Sequence, residues 1–193
     1  MFISFFGNKI EQEQFDKSLY ELDRLEAEEV KAKHCGECGG PLDRSDYWRI
    51  PRGVGGQERR EKRRLSFCCR ACRRRTTPGS VRFLGRKVYS GYVVVLLSAL
   101  LQGREKMAMK HLVAVCGTSA VTIRRWKKWW QESVKESRFW NEHRGRLSPA
   151  LNEERFIAEL LERFRQTAQT FSDGLRRLLR FLKPLSISSQ YPS

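Results

Sequence analysis

Cys35 and Cys38 lie three positions apart in "HCGECGGPLD", and Cys69 and Cys72 repeat that spacing in "FCCRACRRR", with 30 residues between the pairs. Two such pairs, each on a turn whose glycines or small residues let both sulfurs point inward, fit four-coordinate tetrahedral zinc. Four thiolates suit a soft metal and leave no position for water, so the spacing predicts one structural Zn2+ rather than a catalytic one. In so small a module, metal binding is largely the folding free energy. A redox pair, a disulfide framework and chance are the plainer readings; two matched pairs in a chain of cytosolic character favour the metal. His34 adjoins Cys35 and Cys68 adjoins Cys69, so either is an alternative ligand. The phase of "LSFCCRAC" favours Cys69 for the turn and Cys68 for the strand before it.

The cysteines superficially match one catalytic pattern. Cys35-Gly36-Glu37 followed by Cys69-x-x-Cys72 resembles a zinc deaminase, in which a glutamate moves protons beside a three-ligand zinc. That pattern has a proline before its second pair. Here Cys68 stands there, and Cys38 is left without a role.

A second constellation is "MKHLVAVCGTSAVTIRRWKKWW", residues 109–130. Leu112 and Cys116 lie one helical turn apart, while Ile123, Trp126 and Trp130 share a face of a second helix. Gly117 supplies the positive φ of a sharp turn, and Ser119 caps the helix that follows. Cys116 reads as a buried small hydrophobe. With the tryptophan face inward, Ser119, Ala120, Val121, Arg124 and Arg125 face outward, as a recognition helix presents side chains to the major groove. Arg124 and Arg125 are candidates for guanine contacts, and Lys127 and Lys128 for phosphates. Arg59, Arg60, Arg63, Arg64, Arg73, Arg74 and Arg75 are candidates for the phosphate backbone.

The elements that must position these residues divide the chain into four. Residues 1–33 form an acidic helix: Asn8 caps it, Glu11 is its capping-box partner, and Phe15, Leu19 and Leu22 make its apolar face. Residues 34–83 are a loop-and-strand module broken by glycines, with Val54 to Arg64 as a mobile arginine-rich loop. Residues 84–146 hold the helix-turn-helix, with Tyr89 to Gln102 as the scaffold helix of a three-helix unit. Residues 147–193 carry one long amphipathic helix or a helix pair, from a Ser148 cap and Pro149 to a stop at Pro184. In this last segment Ile157, Leu161, Phe164, Ala168, Phe171, Leu175, Leu178 and Leu182 recur at heptad spacing, widened by Leu160, Leu179 and Phe181 and weakened at Gly174. The stripe implies packing on the chain's own helices or a homodimer through 149–182. Glu153, Glu154, Glu159 and Glu162 read as surface ion pairs. The expected fold is mainly α with a small β zinc ribbon.

Charge narrows the function. The net charge of +16 is uneven: residues 1–33 carry five Lys/Arg against eight Asp/Glu, which leaves 33 basic and 14 acidic groups after them. Such a field attracts a polyanion, and double-stranded DNA is the expected partner. The apolar run from Tyr92 to Leu101 is about half of what a bilayer needs, so it reads as a buried helix. "MFISFF" is too short for a signal core and lacks a basic start. No membrane, no small-molecule substrate and a cytoplasmic, nucleoid-associated location follow as expectations.

The order of parts, Cys35-x-x-Cys38, Cys69-x-x-Cys72-Arg-Arg-Arg, Thr77-Pro-Gly79-Ser80-Val81 and a helix-turn-helix, resembles the N-terminal DNA-binding half of bacterial insertion-sequence transposases. The resemblance covers roughly residues 34–130. It implies that the four cysteines bind zinc in a ribbon and that Ser119 to Lys128 contact terminal inverted repeats. The chain departs from that family in two ways. Arg75-Thr76 stands where the ribbon's last strand usually begins with an aromatic residue, and nothing after Arg146 resembles the catalytic domain. The expectation is therefore a non-enzymatic, sequence-specific DNA-binding protein. A standalone transcriptional regulator and a nucleic-acid-anchored assembly subunit are the alternatives.

Overall fold

The computed structural model describes residues 8–51, 61–84, 89–102, 108–147, 151–152 and 154–187. Over these the chain is mostly helical with small antiparallel sheets. Helix α1, Lys9–Ala32, begins as expected: the Asn8 side chain accepts a hydrogen bond from the Glu11 N–H at 3.1 Å. Phe15 and Leu19 are buried.

Among the described residues seven short strands follow. β1 (Leu42–Arg44), β4 (Phe67–Cys69) and β5 (Arg75–Thr76) make a three-stranded sheet with β4 in the centre. β2 (Tyr47–Arg49) and β3 (Lys62–Arg64) pair as a separate ribbon, with Trp48 opposite Arg63 and Tyr47 opposite Arg64. The expected loop from Val54 to Arg64 is thus a strand at its end. Lys62 to Arg64 are held there by cross-strand partners that an arginine-rich stretch does not announce; Val54, Arg59 and Arg60 lie outside the described residues. β6 (Phe83–Leu84) and β7 (Tyr89–Ser90) lead into the helical body.

The body is built around α2, Gly91–Gln102, which is buried along nearly its whole length and is hydrophobic all round, as a central helix must be. Its few polar side chains have partners. Ser98 accepts the Trp130 indole N–H at 2.9 Å, and the Gln102 carbonyl oxygen accepts the Ile157 N–H at 3.1 Å, one of the donors that a helix start leaves unpaired. α3 (Met109–Cys116) and α4 (Ala120–Trp129) come next, and α4 runs without a break into a π-helical turn at Trp130–Val134. The short α5 (Arg138–His143) precedes a helical hairpin, α6 (Phe156–Gln166) and α7 (Phe171–Leu182). No helix among the described residues is long and apolar enough to cross a membrane.

The C-terminal segment is the helix pair and not one long helix. Thr170 caps α7 by accepting the Asp173 N–H at 3.1 Å, and a 3-10 turn at Lys183–Ser186 carries Pro184. The heptad residues Ile157, Leu161, Leu175, Leu178 and Leu182 are buried in the chain's own core beside Phe15, Val94, Trp126 and Trp130. The expected starts at Ser148 and Pro149 lie outside the described residues, as does Glu153. Glu159 and Glu162 pair with Arg155 at 3.7 and 3.6 Å.

Gly174, which weakens a helix by propensity, is required by the hairpin. A Cβ there would stand 2.9 Å from the Arg165 Cα, closer than backbone allows. Gly174→Val is expected to pry α6 from α7 at a cost of about 1–3 kcal/mol, read as a lower urea midpoint at unchanged slope. A variant as stable as the parent would show that the two helices have room to part.

Candidate metal centre and basic surface

Two tight turns build the cysteine site, and they have the same backbone pattern. In the first, the Gly39 N–H donates to the Cys35 carbonyl at 2.8 Å and the Cys35 N–H to the Gly40 carbonyl at 2.9 Å. In the second, the Arg73 N–H donates to the Cys69 carbonyl at 3.0 Å and the Cys69 N–H to the Arg74 carbonyl at 2.9 Å. The residue after each pair turns left-handed, Gly39 at φ 70° and Arg73 at φ 63°. Gly39 adopts this conformation freely, while Arg73 carries a side chain in a region that disfavours it.

The turns bring Cys35, Cys38, Cys69 and Cys72 together, with all four sulfurs within 4.8 Å of one another. Cys35 and Cys72 stand 3.7 Å apart, and Cys38 and Cys69 stand 3.5 Å apart. Sulfurs at about 2.3 Å from a tetrahedral ion are about 3.8 Å from each other, whereas a disulfide needs about 2.05 Å. The four side chains therefore fit one metal ion and are free thiols rather than bridged pairs. Neither alternative ligand joins them. Cys68 directs its sulfur to the Arg73 carbonyl at 3.5 Å, and His34 occupies a left-handed turn at the end of α1. The Gly40 Cα faces this site so closely that a Cβ would meet the Cys69 sulfur at 3.1 Å.

Electrostatics favour a cation among the sulfurs. The Cys69 thiol is pulled down to about 6, chiefly because the Cys72 N–H donates to its sulfur. Cys72 is pushed up to about 12: the Arg74 N–H favours its thiolate, but Cys38, burial, Cys69 and Cys35 together weigh more. One thiolate forms readily and another is resisted, the result expected for acidic groups crowded with no positive charge among them. A metal ion held by Cys35, Cys38, Cys69 and Cys72 would supply that charge and favour the thiolates.

The arginines around the site divide into surface groups and scaffold. Arg63 pairs with Asp46 at 2.8 Å and Arg74 with Glu37 at 2.8 Å. Arg73 is exposed. Arg75 donates to the Ser45 carbonyl at 3.0 Å and lies over the Tyr47 ring. Arg64, expected at a phosphate, is instead 3% exposed; it donates to the Pro78 carbonyl at 2.7 Å and lies over Phe83. Alternation along β3 turns it inward, so it holds the module together.

α3 and α4 meet as the sequence implies. Gly117 ends α3 at φ 60°, and the Ser119 side chain accepts the Thr122 N–H at 3.3 Å. Leu112, Ile123, Trp126 and Trp130 are buried, while the Cys116 side chain lies outside those described. Ser119, Val121, Arg124, Arg125, Lys127 and Lys128 are exposed and Ala120 is half-buried. Lys128 lies 3.6 Å from Glu132; among the described residues Arg124, Arg125 and Lys127 have no carboxylate partner.

Two features escape the sequence reading. One is a buried ion pair, Asp23 with Arg82, between α1 and the segment leaving the cysteine module. The other is Trp48, 63% exposed on the β2–β3 ribbon next to Arg49; the run Tyr47-Trp48-Arg49-Ile50 is the signal available for it. The chain matches no family model, no curated protein and no solved structure.

Proposed function

We propose that this chain is a zinc-dependent, sequence-specific binder of double-stranded DNA, of mobile-element, transposase-like type, acting in the cytoplasm on the nucleoid. In this reading the cysteine module is a zinc ribbon and α3–α4 is a helix-turn-helix whose second helix enters the major groove. The observation that carries it is the outer face of α4, where Arg124, Arg125 and Lys127 stand exposed and, among the described residues, without carboxylate partners beside the capped turn. Exposed cations on a helix that is anchored by the buried Ile123 and Trp126 are placed to meet a polyanion. Arg124 and Arg125 read bases; Lys127, Lys128, Arg63, Arg73 and Arg74 hold phosphates, with Arg64 and Arg75 as scaffold.

Zinc is favoured over other ions because four thiolates in a closed tetrahedral set suit a soft ion with no geometric demand of its own. Such a set leaves no coordination position for water, which supports a structural role for the ion. The transposase-like assignment rests on the order of motifs along the chain. It predicts that sites recovered from genomic DNA are inverted repeats at element ends rather than operators.

Selection of duplexes from a random pool, followed by anisotropy titration of the preferred site, tests the reading. The Arg124→Ala, Arg125→Ala variant is expected to bind that site at least tenfold more weakly and to lose its preference over unrelated DNA, since a bidentate base contact is worth about 1–3 kcal/mol. Affinity should also fall steeply with salt. An unaltered preference in the double variant would remove α4 from base recognition.

A further inference from the structure

Trp48 stands apart from the other tryptophans. Trp126 and Trp130 are in the core and Trp129 and Trp140 are half-buried, whereas Trp48 is 63% exposed on a two-stranded ribbon. Trp48 also lines an open cleft of about 680 Å³ between α1 and the β2–β3 ribbon, together with Tyr20. The cleft walls carry as many carboxylates as cations, and Asp16 is already paired with Lys62 there. The cleft is therefore no phosphate site. It suits an uncharged planar group that arrives attached to an anionic chain.

We infer that Trp48 is a stacking platform for one unpaired nucleobase of the bound DNA, with the cleft receiving the base. This rests on the DNA-binding reading above. A base inside an intact duplex shows its faces only to its neighbours, so the platform acts where a strand is open, and stacking on an aromatic face accepts any base.

The test uses the full-length, metal-loaded chain and two labelled oligonucleotides, an intact duplex and the same duplex with a short single-stranded gap. The parent protein is expected to bind the gapped DNA more tightly, and its tryptophan emission should become less accessible to acrylamide on binding. Trp48→Ala and Trp48→Leu should each weaken gapped-duplex binding about tenfold and leave intact-duplex binding unchanged. Trp48→Phe, which restores a π face, should recover most of the loss. Metal content and far-UV circular dichroism equal to the parent's establish that each variant is folded. Equal binding of gapped DNA by Trp48→Leu and the parent overturns the platform, as does an equal loss on both DNAs. A sedimentation shift of DNA-free Trp48→Ala overturns it in favour of a second copy. Should the parent bind neither DNA, the DNA-binding reading falls and the platform falls with it; should it bind the intact duplex while Trp48 proves irrelevant at the gap, the platform alone falls.

Discussion

Chelation, or the Cys69→Ser, Cys72→Ser double variant, is expected to unfold the module from Cys35 to Thr76 and to leave the helical body standing. The module has little else to fold on. Its apolar cluster is Ala27, Cys35, Leu42, Leu65, Phe67 and Cys69, with Tyr20 and Val30 half-buried against it, and two of the buried six belong to the candidate metal site. Its sheet has strands of three, three and two residues. Hairpins of that size are marginal in water without a larger core. A structural zinc site contributes about 10–16 kcal/mol to small zinc modules at neutral pH, as much as the whole stability of a typical domain. The larger cluster, from Phe15 through Leu185, contains none of the four cysteines and has the tryptophans, α2 and the α6–α7 hairpin to sustain it.

The expected result is one zinc per chain by elemental mass spectrometry, absent from the double variant. The amides of Phe67 and Cys69 should lose protection from hydrogen exchange while those of α2 keep theirs. Cys68→Ser is the control, since its sulfur points at a carbonyl outside the cluster, and it should retain the metal. Metal-free parent protein with protected β4 amides would mean that the sulfurs pack without an ion.

The cysteine quartet was legible because a ligand set is a local pattern: two residues three apart form a turn whatever surrounds them, and the turns need only meet. The caps at Asn8 and Ser119 and the turn at Gly117 were legible for the same reason, since each satisfies groups within four residues of itself. Trp126 and Trp130 announced their burial by sharing one helical face.

Arginine hid the rest. Lys62, Arg63 and Arg64 look like a solvated run, and only the cross-strand pairing with Tyr47 to Arg49 makes them a strand with Arg64 turned inward. The break between α6 and α7 is hidden differently. Both helices of a hairpin face the same core, so the apolar rhythm from Ile157 to Leu182 continues across Thr167 to Thr170 without a missed beat. The signal was nonetheless present. Thr170-Phe-Ser-Asp173 is a helix-start pattern, and the Asp173 N–H does donate to Thr170. Periodicity reports which residues face inward; a cap is needed to say where one helix ends and the next begins.

Asp23→Ala is expected to cost about 3–5 kcal/mol, the effect of leaving one partner of a buried ion pair without the other. Asp23 and Arg82 are 3% and 6% exposed. One carboxylate oxygen of Asp23 accepts the Arg82 Nε–H at 2.8 Å and the Ser80 hydroxyl at 2.5 Å, and the other accepts the Val81 N–H at 2.8 Å. Arg82 in turn donates to the Arg63 carbonyl, and its guanidinium lies over the rings of Tyr20 and Phe83. The Ser80 N–H reaches the Ser186 hydroxyl at 2.8 Å. One carboxylate thus ties α1, the strand segment leaving the cysteine module and the C-terminal turn to a common point. Removing it strands a guanidinium, a hydroxyl and a backbone N–H away from water. The exposed pair Arg138 with Glu142 has a similar distance, 2.7 Å, but water and salt screen it, and Glu142→Gln should leave the urea midpoint unchanged. The informative variant is the double replacement Asp23→Leu, Arg82→Met. Apolar side chains of comparable volume need no partner, so the pair should regain much of what Asp23→Ala loses. A urea double-mutant cycle reads the difference. A cost below about 1 kcal/mol for Asp23→Ala would mean that water reaches Arg82 and that the three elements are held together by packing instead.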